Sequence, residues 1–99
     1  MGEFRLAVES ETGLCRASGA LEFSTAADAH AQLQRCLGAG GQVRVDCSAL
    51  DRIDSAGLAV LLDTVALARE QGVALTYVEL PAGVLRLARL SGVEGLLPV

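Results

Sequence analysis

Along this chain the spacing of apolar residues switches between the two-residue alternation of strands and the three- and four-residue recurrence of helices. Phe4-Arg5-Leu6-Ala7-Val8 alternates imperfectly and predicts a strand, ending at the turn Glu9-Ser10-Glu11-Thr12-Gly13. Leu14 to Gly19 reads as a second short strand, so the pair forms a hairpin. Thr25-Ala26-Ala27-Asp28 resembles a capping box, with the Thr25 hydroxyl placed to accept a backbone N–H and Asp28 favoured by the helix dipole. Ala26, Ala29, Leu33, Cys36 and Leu37 then recur at helical spacing until Gly38-Ala39-Gly40-Gly41 stops the helix. Val43 to Cys47 is the clearest strand of the first half.

The second half repeats the alternation. A helix is predicted from about Gly57 to Gln71, ended by Gly72, then a strand over Val73–Val78. Pro81 suits the first turn of a third helix, Ala82–Leu90, which Ser91-Gly92 ends. The apolar tail Val93–Val99 is expected to pack down. Two strands followed by helix–strand–helix–strand–helix imply one α/β domain over residues 1–99, with a small mixed sheet and right-handed crossovers.

The central helix has more apolar surface than a single buried stripe requires. At about 100° per residue, Leu58, Leu61, Leu62, Val65 and Ala68 share the stripe expected to face the sheet. Val60, Asp63, Thr64, Leu67, Glu70 and Gln71 fall opposite, with Ala59 and Ala66 beside them. That second face reads either as incidental exposure or as a small partner-binding patch, with Val60 and Leu67 as its apolar anchor and Asp63, Thr64 and Gln71 as its polar rim.

Composition removes several classes of function. The chain has 99 residues, 52% of them apolar but only 3% aromatic, so its core is aliphatic. The net charge is −4, the basic residues are scattered arginines, and no basic stripe exists for nucleic acid or an anionic membrane. No apolar run approaches the roughly 20 residues of a membrane span, and the charged first twenty residues hold no secretory core. Retention in the compartment of synthesis is therefore expected. Cys15, Cys36 and Cys47 form no C-x-x-C pair and fit buried reduced thiols better than a disulfide or a metal site.

The junction Asp54-Ser55-Ala56-Gly57 is where chemistry is to be sought. Ser55 has no catalytic partner: the one histidine, His30, belongs to the first helix, and the glycine-framed nucleophile elbow is missing. No cluster has metal-ligand spacing, and Gly38–Gly41 follows a helix where a phosphate loop would precede one. No enzyme activity, metal or cofactor is expected. Asp54 or Ser55 can cap the helix, and the free N–H groups there also suit an anion, including a phosphoryl group on Ser55.

Strand Val43–Asp46, then Cys47-Ser48-Ala49-Leu50, then Ile53-Asp54-Ser55-Ala56-Gly57-Leu58, resembles the signature of STAS domains. The likeness extends to Gln71-Gly72 and to Leu85–Val93, nearly the whole chain. It implies a small mixed sheet with about three helices packed mainly on one side. Within that family, sigma-factor regulators resemble Asp-Ser-Ser-Gly here and are phosphorylated on the serine before glycine. This chain has Ala56 there, so that switch does not carry over, and Ser55 is only a weak phosphoacceptor candidate. Phospholipid-transport subunits resemble Asp-Thr-Gly-Gly-Leu, with a hydroxyl at the Ser55 position and a small residue at the Ala56 position.

The resemblance therefore implies a non-enzymatic accessory subunit of an intermembrane phospholipid-transport ABC complex. Such a subunit is cytoplasmic, peripheral to the inner membrane, and supports assembly and activity of the ATPase subunit that it binds. Its contact residues would be Asp54, Ser55, Ala56, Gly57, Val60, Asp63, Thr64, Leu67 and Gln71. The alternative is an anti-sigma-factor antagonist that binds a serine kinase.

Overall fold

A computed structural model describes residues 2–9, 12–38 and 40–99. Its strands are β1 (Phe4–Glu9), β2 (Leu14–Leu21), β3 (Gln42–Ile53) and β4 (Ala74–Val78). Its helices are α1 (Ala26–Leu37), α2 (Ser55–Gln71) and α3 (Ala82–Leu90), with short 3-10 turns at Phe23–Thr25 and Glu94–Leu96. The sheet order is β1-β2-β3-β4, in which β1 and β2 are antiparallel and the other two pairs are parallel. The fold is the expected mixed α/β domain with three helices. Ser10 and Glu11 of the expected first turn, and Ala39 of the expected helix stop, lie outside the described residues.

One face of the sheet is buried and the other is open. Phe4, Cys15, Ala17, Val43, Val45, Cys47, Leu75 and Tyr77 point into the aliphatic core. Their neighbours Arg5, Arg16 and Arg44 are exposed on the other face, where Arg16 lies 3.4 Å from Glu9. This in–out alternation is what a sheet covered on one side requires.

The strands run further than their sequence pattern suggested. The strand expected over Val43–Cys47 continues through residues 48–53, which belong to β3 and pair with the end of β2. The pairing register shifts between Arg16 and Ser18, and again between Gly19 and Ala20. At each shift β3 advances one residue more than β2, so Val43, Val45, Cys47, Leu50 and Ile53 drift from a spacing of two to three. A bulge of this kind hides a strand from any strict two-residue template.

Two edges are closed locally. The Leu6 N–H donates to Gln32 Oε1 at 2.9 Å, and Gln32 Nε2 donates to the Phe4 carbonyl at 3.2 Å, so α1 occupies the free side of β1. On β4, the Tyr77 N–H donates to the Pro98 carbonyl at 2.7 Å, which ties down the tail and buries Leu97. Strand addition by another chain is blocked at both places.

Two expectations are corrected here. Cys15 and Cys36, both buried, form a disulfide between β2 and α1 rather than remaining thiols. Cys47 stays free, and burial in the core pushes its thiol up to about 12, so it is inert. Thr25 precedes α1 without capping it. Its buried hydroxyl turns backwards, accepting the Glu22 N–H at 3.0 Å and donating to the Ala20 carbonyl at 2.8 Å.

The buried Tyr77 hydroxyl donates to the Leu61 carbonyl at 2.6 Å and pins the middle of α2 to β4. Tyr77→Phe keeps the ring and removes that bond, so it is expected to lower unfolding free energy by about 1 kcal/mol. Urea denaturation checks this, with the m-value unchanged.

Candidate functional site

Parallel pairing of β2 with β3 decides what meets at the candidate site. Leu21 pairs with Ile53, so the two strands finish side by side and their following loops must touch. The loop after β2 is the 3-10 turn at Phe23, and the loop after β3 is Asp54, the N-cap of α2. The carboxyl ends of adjacent parallel strands are the usual place for a functional loop cluster in α/β proteins.

Asp54 joins the two loops through both carboxylate oxygens. Oδ1 accepts the Gly57 N–H at 2.9 Å, and Oδ2 accepts the Phe23 N–H at 3.0 Å. The backbone bonds from Gly57 and then Phe23 hold its carboxyl below the usual carboxylate range. Sequence reasoning left the cap to Asp54 or Ser55; the geometry gives it to Asp54. Ser55 is the first residue of the helix and is exposed, while Ala56 is half-buried.

Gly57 has a second role besides donating its N–H. A Cβ there would overlap the Leu21 carbonyl oxygen. Helix α2 thus starts in backbone contact with the end of β2, and only glycine permits that approach. At the far end Gly72 adopts a left-handed φ of 69°, and the Gly72 and Val73 N–H groups both return to the Ala68 carbonyl. The predicted stop is therefore in place.

The second face proposed for α2 is only partly open. Val60 is 5% exposed and Thr64 only 1%, so neither is available to a partner. The cause is lateral cover: α1 contacts α2 and so does α3, while the sheet lies beneath. Burial therefore spans Gly57, Leu58, Val60, Leu61, Thr64, Val65 and Ala68, an arc wider than the stripe expected to face the sheet. Thr64 tolerates the core because its hydroxyl donates to the Val60 carbonyl at 2.8 Å. Leu67 is half-buried and packs on the core, whereas Asp63 and Gln71 are exposed. The open surface of α2 runs along Ser55, Ala59, Asp63 and Ala66, spaced by three or four residues, and continues into Arg69, Glu70 and Gln71 at the end of the helix.

Phe23 is the residue that sequence reasoning missed. It is 83% exposed, and it belongs to the turn bonded to Asp54. The signal available was an aromatic residue just past a strand in a chain with few aromatics. His30 is half-buried on α1, and no group of three or more His, Cys, Asp or Glu among the described residues could hold a metal. Nor is any described helix long and apolar enough to cross a membrane.

A family model described as "Mlab, STAS domain" matches residues 4–98. A search of curated proteins gave no match. Among solved structures, the chain is similar to the unphosphorylated anti-sigma factor antagonist SpoIIAA, with a TM-score of 0.70 and 16% identity over 95% of this chain and 84% of that one. It is also similar to part of the murine anion transporter Solute Carrier 26 family member A9 in its inward-facing state, with a TM-score of 0.65 and 16% identity. That match covers 92% of this chain and 18% of the transporter.

Two outcomes follow from the junction. Gly57→Ala is expected to cost about 3 kcal/mol, the upper end for inserting a methyl group into a packed contact, measured by urea denaturation. Asp54→Ala is expected to cost about 1–2 kcal/mol at neutral pH. The wild-type advantage is full above the ordinary carboxylate value of 3.8 and fades as pH falls below it towards the lowered folded value. Asp46, lowered chiefly by the Ser48 N–H, titrates in both proteins and cancels in that difference. Parallel denaturation curves from pH 7 downwards measure it.

Proposed function

The chain belongs to the STAS domain family, and from that premise we propose that it is a non-enzymatic accessory subunit of a phospholipid-transport ABC complex. In this reading it binds the cytoplasmic ATPase subunit and supports complex assembly and ATP hydrolysis at the inner membrane. The supporting observation is the start of α2 and the surface that it leaves open. Ser55, Ala59, Asp63 and Ala66 present small and polar side chains without a covering element, and Ala56 places no hydroxyl before Gly57. Closure of the two edges at Gln32 and Pro98 favours docking through this helix face over strand addition.

Exposed Ser55 favours one second reading, a signalling module whose partner is a serine kinase. A phosphoryl group on Ser55 would meet the free N–H groups at the start of α2. Incubation with a cognate kinase and ATP, followed by intact-mass measurement, separates the two. An unmodified chain fits transport, and a single added phosphate favours signalling.

Leu67 packs partly on the core, so a charge there would disturb folding as well as binding. Ala59 is exposed, which makes Ala59→Arg the cleaner probe. It is expected to abolish co-purification with the ATPase subunit while leaving the melting midpoint within about 4 °C, as surface substitutions of this kind change stability by no more than about 0.5 kcal/mol. Undiminished co-purification would remove α2 as the docking face.

A further inference from the structure

Among the exposed large apolar side chains, Phe23 differs from Val8, Leu90, Leu96 and Val99 in what holds it. Val8 lies near the end of β1, and the other three lie at the end of α3 and along the tail. Phe23 sits on a turn fixed from both sides. Its N–H is bound by Asp54 Oδ2, and the preceding Glu22 N–H is bound by the buried Thr25 hydroxyl. The aromatic ring is thus projected from a rigid backbone, so little main-chain freedom remains to be lost on binding.

The surroundings of Phe23 are acidic. Glu22 precedes it, Asp54 is bonded to it, Asp28 lies five residues on in the first turn of α1, and Asp51 lies three residues before Asp54. Asp28 and Asp51 are exposed. Two cations lie nearby and each already has a carboxylate: Arg52 is 3.8 Å from Glu22, and Arg5, which borders a surface depression with Ser24 and Asp28, is 3.1 Å from Glu3. An exposed aromatic ring framed by carboxylates is complementary to an apolar pocket framed by arginine or lysine.

We infer that Phe23 is the aromatic anchor of the interface, and that it enters an apolar pocket with a basic rim on a protein partner. This rests on the reading that the Ser55 end of α2 docks a protein, and it adds the chemistry of the surface that receives it. Ser55 and Ala59 on α2 would frame the contact on one side, with the acidic residues Asp28 and Asp51 on the other. The carboxylates raise the association rate and choose the partner, and the ring supplies the affinity.

The full chain carrying a photo-crosslinking phenylalanine analogue at position 23, and separately at position 59, tests this in cells that express it. Crosslinked peptides are identified by mass spectrometry. The expected result is a crosslink from position 23 to a partner segment containing apolar residues and arginine or lysine. With that partner purified, Phe23→Ala is expected to weaken binding at least about tenfold without changing the melting midpoint. Wild-type affinity should fall with added salt, less so in the Asp28→Asn/Asp51→Asn protein.

A crosslink from position 59 but not 23 would leave the docking face standing and overturn the Phe23 anchor. A crosslink from position 23 to a basic pocket on a protein other than an ATPase subunit would support the anchor and overturn the transport reading. Crosslinking at neither position would overturn both. A crosslink from position 23 to a second copy of this chain, a lipid or an acidic surface would also overturn the anchor.

Discussion

Two backbone N–H groups, one in the Phe23 turn and one in the first turn of α2, converge on one carboxylate, and the geometry of the whole junction depends on that convergence. Asp54 fixes where α2 starts through Gly57 and where the Phe23 turn lies through Phe23 itself. Each bond alone is an ordinary charge-assisted contact. Together they make the loops after β2 and β3 one unit, in which the orientation of Ser55 is coupled to the position of Phe23. The Leu21 carbonyl completes the unit, accepting the Asp54 N–H at 3.4 Å and lying against the bare Cα of Gly57.

Much of the fold was legible in the chain, because its breaks are chemically explicit. Gly72, Gly92 and Pro81 end or begin elements as their backbone preferences require. The mixed sheet followed from the order of elements. The far ends of β2 and β3 were not legible, for a definite reason. Register shifts displace Leu50 and Ile53 from two-residue spacing, so the last part of β3 resembles a loop. Ending those strands early also separates Phe23 from Asp54 in any sketch of the topology. The contact at the centre of the site was hidden by the same irregularity.

The site itself was half legible. The helix start at Asp54 was legible because capping chemistry is local and shows in a few residues, although only packing gives the cap to Asp54 over Ser55. Val60 and Thr64 were assigned to the wrong side because α2 was treated as packing on the sheet alone. A helix flanked by two others buries a broader arc, and threonine enters that arc by bonding its own helix backbone. The Cys15–Cys36 pair was missed for a related reason. The two cysteines lie 21 positions apart, and only the seating of α1 over β2 brings them together. What depends on a single turn could be read; what depends on the packing of three elements could not.

In this STAS domain the two sheet edges are locally closed, and the central helix buries one broad arc while leaving its Ser55–Ala66 side open. The junction held by Asp54 is the part where rigidity, exposure and charge coincide, so any account of recognition there depends on whether this carboxylate holds both loops in solution. Amide hydrogen exchange at Phe23 measures that most directly, because Phe23 lies on a surface turn and its N–H is bonded to Asp54. The account predicts marked protection of the Phe23 amide in the wild-type chain and its loss in Asp54→Ala. A Phe23 amide that exchanges in the wild type as fast as in an unstructured peptide would contradict it.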